Sequence, residues 1–114
     1  MVIRSTIHEV IAMSITIKIN DWNKLCEMFH LFFKDLGKID ENQEYIQFES
    51  YPENVVTSFL IRKNGIFAAS MPLHGLEGGM STVTFNHDDF SVIVEGVDTT
   101  YTYRVPKELI NLRD

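Results

Sequence analysis

The sequence has a single cysteine, Cys26, and no uninterrupted apolar run that approaches the roughly 18 residues of a membrane span. One cysteine excludes an internal disulfide and gives no reason to invoke an oxidising compartment. Arg4, His8 and Glu9 interrupt the first ten residues, which therefore lack the apolar run of a signal peptide. We expect a soluble, cytoplasmic protein.

Positive charge is also scarce. Ten Lys and Arg residues stand against sixteen Asp and Glu residues, which gives a net charge of −6. The densest basic spot is Arg62-Lys63, and a net negative charge repels phosphate backbones and anionic lipids. We therefore expect no nucleic acid and no membrane among the partners of this protein.

Low-complexity tracts and internal repeats are absent as well. The hydrophobic fraction of 45% and the charged fraction of 23% are close to ordinary globular usage. A chain of this length buries roughly two thirds of the surface that its unfolded form exposes, which is enough for a core of its own. The composition predicts a single domain that covers residues 1–114.

The strongest pattern in the chain lies between Asn20 and Gly37 and is typical of an amphipathic helix. Apolar residues recur there at steps of three and four: Trp22, Leu25, Cys26, Phe29, Phe32, Phe33 and Leu36. Asn20 or Asp21 can cap the start, and Gly37 suits a left-handed residue at the end. We predict one long helix over 20–37, with Cys26 as a buried and unreactive thiol.

Alternating apolar and polar residues predict about seven short strands around this helix. They cover residues 11–19, 45–49, 55–62, 66–73 and, as three strands, 80–105. Residues 1–10 fit both a helical and an extended spacing and are assigned to neither. We predict an α+β two-layer sandwich in which a mainly antiparallel sheet of six or seven strands packs on one long helix. The element order is β-α-β-β-β-β-β, followed by a short helix over 107–114.

Two predicted turns set the pairing of these strands. A two-residue turn at Asn64-Gly65 would place Ile61 opposite Ala68 and Phe59 opposite Ser70. This hairpin is apolar on both faces, so it should be covered on both or lie at a subunit contact. Glycines in the following segment, 74–79, predict a loop.

The strands between 80 and 105 should form a three-stranded meander. A four-residue turn over 86–89 would pair Phe85 with Phe90, and a tight turn after Gly96 would pair Val94 with Tyr101. Both registers place the same apolar residues on one common face.

A mismatch of widths predicts association. Seven strands at about 4.8 Å spacing make a sheet about 29 Å wide, whereas a helix is about 10 to 12 Å across. One helix cannot cover that face alone, so the sheet must curl strongly around it, the terminal segments must help, or a second copy of the protein must supply the missing cover. The candidate interface residues are Met28, Leu31, Phe59 and Ile61.

The loop over 74–79 is a candidate ligand site. His74, Gly75 and Gly78, with His87 brought near by the fold, could cradle a small ligand or an anion. The glycines precede a strand rather than a helix, and no lysine follows them, so the phosphate-loop pattern is absent. A plain connection is the alternative interpretation.

His87, Asp88 and Asp89 form a candidate metal site, because a histidine and two carboxylates can hold a divalent cation. The alternative is ordinary turn chemistry, since Asn and Asp side chains bond their own backbone.

No catalytic residue and no cofactor can be assigned from the sequence. The leading hypothesis is a binding module without catalysis that associates with itself or with another protein. The alternative is a small-ligand or metal-dependent enzyme whose pocket is framed by the loops 74–79 and 86–89. Convergence of His74, His87 and Asp88 in one cleft would favour the enzyme.

Overall fold

A computed structural model describes residues 14–71 and 74–113. Predictions for residues 1–13, 72, 73 and 114 lie outside the described residues, including the start of the strand predicted over 11–19. The elements are β1 (Ser14–Lys18), α1 (Trp22–Phe33), β2 (Lys38–Glu41), β3 (Tyr45–Glu49), β4 (Ser58–Arg62), β5 (Ile66–Met71), β6 (His74–Gly79), β7 (Thr82–Asn86), β8 (Ser91–Glu95), β9 (Thr100–Arg104) and α2 (Lys107–Arg113). Neither of these two helices is long and apolar enough to cross a membrane.

The strands of the described residues form two antiparallel sheets. One has four strands in the order β1-β7-β8-β9, and the other has five in the order β2-β3-β4-β5-β6. The α+β class and the short terminal helix are confirmed, whereas the single sheet of six or seven strands is wrong. The chain leaves the five-stranded sheet after Gly79 and enters the other at Thr82, a break of two residues that the sequence pattern does not reveal.

Aromatic contacts join the two sheets face to face. The ring of Phe59 on β4 stacks on Tyr103 of β9 at 5.0 Å between centroids. The ring of Phe67 on β5 stacks on Tyr101 of β9 at 5.5 Å. Each sheet therefore covers much of the inner face of the other, as in a sandwich.

Helix α1 completes this core by touching both sheets. Phe33 stacks on Phe48 of β3 at 4.3 Å, and Phe32 lies 5.6 Å from Phe85 of β7. All four rings are fully buried. The predicted mismatch of widths thus disappears, because the wide sheet is covered by a second sheet as well as by the helix.

The helix is shorter than predicted. It ends at Phe33, Lys34 is extended, and Asp35 rather than Gly37 takes the left-handed conformation with φ of 66°. Glycine is required at position 37 for another reason, since a Cβ there would lie 2.5 Å from the carbonyl oxygen of Glu49. Asp21 occupies the cap position without a capping hydrogen bond from its side chain.

The apolar face of the helix is confirmed. Its buried residues are Leu25, Cys26, Phe29, Phe32 and Phe33, and Leu36 beyond the helix is buried too. Near the other end of the chain, Leu109 of α2 is fully buried and Ile110 packs against the core, whereas Leu112 is 46% exposed.

The β4–β5 hairpin differs from prediction by one residue. Ile61 lies opposite Phe67 and Phe59 opposite Ala69. The loop contains three residues, 63–65, because Gly65 takes the left-handed conformation with φ of 93° and adds one residue to the expected turn.

The meander is partly as predicted. Val94 lies opposite Tyr101, which confirms the β8–β9 register. In the β7–β8 pair, Phe85 lies opposite Val92 instead of Phe90. Phe90 stays in the turn with φ of 53°, so the pairing shifts by two residues and the faces are preserved.

Candidate functional site

The candidate site is a concave surface at one end of the five-stranded sheet, which we call the Tyr51 cleft. Its volume is about 540 Å³. The lining residues are Lys38, Glu49, Ser50, Tyr51, Pro52, Val56, Thr57, Ser58 and Ser70.

A single cross-strand row supplies four of these residues. Lys38 pairs with Glu49, Glu49 with Ser58, and Ser58 with Ser70. Because side chains alternate along a strand, this row lies on the face opposite to the buried Phe48 and Phe59. The cleft therefore combines a row of polar side chains with the loop that leaves the sheet beside it.

The loop over 51–57 forms the other wall. Pro52 cannot donate to a strand ladder, and the chain leaves β3 just before it. The backbone N–H of Ser50 donates to the carbonyl oxygen of Thr57 at 3.0 Å, which closes the base of the loop. Farther out, the N–H of Val55 donates to a carboxylate oxygen of Glu108 on α2 at 3.1 Å. The loop is thus closed at its base by its own backbone and contacts α2 farther out.

Beneath the loop, buried hydroxyl groups link the two sheets. The Thr57 hydroxyl donates to the carbonyl oxygen of Ser70 at 3.0 Å. Since a threonine hydroxyl carries one proton, the Tyr103 hydroxyl, 2.7 Å from Thr57 Oγ1, must act as the donor to it. The Ser50 hydroxyl accepts from the N–H of Thr57 at 3.1 Å. Thr57 and Tyr103 are 1% and 0% exposed, so these bonds are shielded from water.

Burial raises the pKa of Tyr103 well above its ordinary value, because it disfavours the charged phenolate. The phenol therefore stays protonated at neutral pH and keeps its role as the donor to Thr57.

Apolar side chains are exposed on the rim of the cleft. Among the described residues, the exposed large hydrophobic side chains are Leu31, Tyr51, Val56, Val97 and Leu112. Tyr51 and Val56, at 42% and 63% exposure, both line the cleft. Isolated exposed apolar residues are ordinary, so the shared position of these two on one concave surface is what makes the cleft a candidate site.

The predicted interface residues are not gathered on one surface. Phe59 and Ile61 are fully buried in the core and cannot reach a partner while the protein is folded. Met28 is partly buried and packs against the core, whereas Leu31 is 55% exposed on α1. The two buried positions follow from the second sheet, which covers the face that we expected to be bare.

The predicted ligand residues lie in different places. The segment over 74–79 is strand β6 rather than a loop, at the edge of the five-stranded sheet. Gly75 pairs with Ser70 and Gly78 with Phe67, and a Cβ on Gly78 would lie 3.0 Å from the Phe67 ring. Glycine there makes room for an aromatic neighbour. His74 begins this strand, whereas His87 belongs to the β7–β8 turn of the other sheet.

The turn that carries the predicted metal ligands makes contacts of its own. The His87 ring lies edge-on against Phe32 at 5.1 Å between centroids. Asp88 is exposed, and its N–H donates to the side-chain oxygen of Asn86 at 3.0 Å. This bond is the turn chemistry that we weighed against metal binding.

Asp89 is engaged with protein groups. The Ser91 hydroxyl donates to it at 2.6 Å and Arg104 donates at 3.0 Å. These contacts, above all the one from Ser91, lower the pKa of Asp89. Within residues 14–71 and 74–113, no three His, Cys, Asp or Glu side chains are placed to hold a metal ion. The metal site stays a prediction that these contacts do not support.

The thiol of Cys26 is buried, with 5% exposure. Burial raises its pKa to about 12, and the nearby carboxylate of Glu41 acts in the same direction. Glu41 also contacts His30, with Nε2 and Oε1 2.8 Å apart. A thiol that stays protonated at neutral pH is a poor nucleophile.

Sequence reasoning missed the Tyr51 cleft. The Tyr51-Pro52 break was a visible signal for a loop, but nothing local marks Thr57 as the partner of Tyr103, 46 residues away. In chemical terms the described lining offers hydroxyls, one ammonium, one carboxylate and the apolar surfaces of Tyr51, Pro52 and Val56. Such a surface offers both hydrogen-bonding and apolar groups to a ligand.

Comparisons of the chain with protein-family models, with curated proteins and with solved structures found no significant match.

Proposed function

We propose that this protein is a non-catalytic binding module that holds an extended segment of another protein in the Tyr51 cleft. The observation that carries the proposal is the placement of Tyr51 and Val56, both exposed, on the rim of one concave surface with a polar floor. Aromatic residues are frequent anchors of protein interfaces. The single buried cysteine is compatible with a reducing compartment, and the proposal includes a cytoplasmic location and a one-domain protein.

The chemistry of the floor favours a polypeptide. Lys38 and Glu49 stand opposite each other across the β2–β3 pair, so their charges largely cancel for any ion. The Lys38 ammonium can donate to the carbonyl oxygen of a peptide group, and the Glu49 carboxylate can accept from its N–H. The hydroxyls of Ser58 and Ser70 can do both. For an anionic ligand, the attraction of the Lys38 ammonium would be offset by the repulsion of the Glu49 carboxylate.

The dimensions agree with this choice. The row from Lys38 to Ser70 crosses four strands, a span of about 14 Å at about 4.8 Å per strand. An extended chain rises about 3.3 Å per residue, so about four residues would cover the row. An apolar side chain of the segment would rest against Tyr51 and Val56, and its burial would supply most of the affinity.

Binding to another protein is preferred to self-association. A bare sheet face would favour a dimer, but the opposite sheet and α1 bury the aromatic residues of that face. Among the described residues, five large apolar side chains are exposed, and two of them, Tyr51 and Val56, line the cleft. No observation among the described residues favours the alternative of an enzyme framed by 74–79 and 86–89.

The test is a selection of binders from a random library of displayed peptides on the purified protein. Peptides that are recovered would be labelled and measured by fluorescence anisotropy. We expect Val56→Asp to weaken binding at least about tenfold, because a charge replaces an apolar contact at the rim. Val97→Asp is the matched control, since Val97 is 98% exposed on the β8–β9 turn, outside the cleft lining, and should leave binding unchanged.

Three outcomes would overturn the proposal. Recovery of no specific peptide is one, and binding that Val56→Asp and Tyr51→Ser leave unchanged is another. The third is a dimer in sedimentation that dissociates on Val56→Asp, because the cleft would then serve a second copy of the chain.

A further inference from the structure

The turn between β4 and β5 contains a reactive dipeptide, Asn64-Gly65. Of the seven asparagines in the sequence, only Asn64 precedes a glycine. The backbone nitrogen after an asparagine can lose its proton and attack the side-chain amide carbon. A new C–N bond closes a five-membered succinimide, and ammonia leaves. Water then opens either ring carbonyl and gives aspartate or isoaspartate. Glycine favours the attack because no side chain hinders the approach.

In the folded protein, both reacting groups are held by hydrogen bonds. The attacking nitrogen of Gly65 donates to the carbonyl oxygen of Arg62 at 2.9 Å. The side-chain oxygen of Asn64 accepts from the N–H of Ile66 at 3.1 Å. Ring closure requires that the first bond break, so that the nitrogen loses its proton, and that the amide rotate out of the second. The native turn therefore opposes the reaction.

We infer that Asn64 is a site of spontaneous deamidation whose rate is set by opening of the β4–β5 turn. Asn64 is exposed, so water reaches the succinimide without further unfolding. Turn tips with solvent-exposed hydrogen bonds open at a lower free-energy cost than the core strands beside them. The modification needs no enzyme, and water is the only co-reactant.

The product isoaspartate would disturb more than the turn. The carbonyl oxygen of Gly65 accepts from the N–H of Met80 at 2.7 Å, at the point where the chain passes between the two sheets. Isoaspartate adds one methylene to the backbone immediately before Gly65 and displaces this carbonyl. Aspartate leaves the backbone length unchanged. Only isoaspartate should loosen the connection to Met80.

The test follows conversion in the full chain at mildly alkaline pH, folded and in concentrated urea. Mass spectrometry of the digested protein detects the change from amide to acid, and an isoaspartyl methyltransferase counts isoaspartate. We expect Asn64 to convert first in urea and at least about tenfold more slowly when folded. Asn42 and Asn86 are matched controls, since their side chains also accept backbone N–H groups but no glycine follows them. Both should stay unmodified over the same period.

Equal deamidation rates of Asn64 in the folded and the unfolded chain would refute the inference that opening of the turn sets the rate. If another asparagine deamidates faster in urea, or if Asn64 does not deamidate at all, the assignment of Asn64 as the site is wrong. A second measurement compares melting temperatures of the purified isoaspartate form and of Asn64→Asp. We expect a lower melting temperature for the isoaspartate form than for Asn64→Asp. Equal melting temperatures would refute the proposed effect on the hydrogen bond between Gly65 and Met80.

Discussion

The buried hydroxyl pair of Thr57 and Tyr103 makes a quantitative prediction for a double-mutant cycle. The variants are Thr57→Val, Tyr103→Phe and their combination, and both substitutions nearly preserve shape. The phenol of Tyr103 belongs to the four-stranded sheet, whereas Thr57 precedes β4 of the other. The cycle therefore measures a bond between the sheets, directly under the Tyr51 cleft.

The two single variants should differ in cost. Tyr103→Phe removes one hydrogen bond and leaves the bond from Thr57 to Ser70, so we expect a loss of about 1 kcal/mol in unfolding free energy. Thr57→Val leaves the buried phenol proton without its acceptor and the Ser70 carbonyl without this donor, so we expect about 2 to 3 kcal/mol. In the double variant the Tyr103 hydroxyl is gone, so no buried phenol donor is left without an acceptor. Its cost should fall short of the sum of the two by about 1 kcal/mol.

Urea unfolding at constant pH measures these differences, provided that the slope with denaturant stays the same. The matched control is Thr84→Val, which removes one hydroxyl of an exposed pair with Thr16 at 2.7 Å. Its cost should stay within about 0.5 kcal/mol, as for most surface substitutions. Additivity of Thr57→Val and Tyr103→Phe within about 0.3 kcal/mol would refute the bond between the sheets.

Two further predictions concern close packing and the thiol. Gly37→Ala should lower the unfolding free energy in urea by about 2 kcal/mol or more, because its Cβ would lie 2.5 Å from a carbonyl oxygen of Glu49. Gly79→Ala is the control, with its nearest contact at 3.9 Å, and equal effects would contradict the close approach at position 37. Cys26 should react with a disulfide reagent near pH 8 in urea but not when folded. Since burial raises its pKa from 9.0 to about 12, the thiol should stabilise the fold below pH 9 and lose that effect as the pH rises toward 12. Cys26→Ala should lack this pH dependence in urea melts, and rapid labelling of the folded protein would contradict the burial.

The local part of the fold could be predicted from the sequence. Phe29 and Leu25 follow a helical step, and Ile46 and Phe48 alternate with polar residues, so their burial was visible without a structure. β2 has no such signal in the sequence, because Lys38–Glu41 carries one apolar residue and gives no alternation. The glycines of 74–79 predict a loop, but this segment pairs with β5 as strand β6.

The division into two sheets could not be predicted, because it depends on contacts between distant residues. Phe59 and Tyr103 are 44 positions apart in the sequence, and no periodicity pairs them. The register errors are smaller and have local causes, since Gly65 and Phe90 take positive φ angles that change the turn lengths. The Tyr51 cleft could not be predicted either, because its floor depends on pairing between distant residues of four strands: Lys38, Glu49, Ser58 and Ser70.

The attachments of the cleft loop have a consequence for selectivity. The base, at Ser50 and Thr57, is held by shielded hydrogen bonds, one of which joins Thr57 to Tyr103 of the other sheet. The outer part of the loop, at Val55 and Val56, is held by an exposed hydrogen bond from the N–H of Val55 to Glu108. It can therefore shift at a lower free-energy cost than the base. In the proposed binding role, a bound segment would therefore meet a fixed surface at the base of the cleft, while the outer wall could adjust to apolar side chains of different sizes.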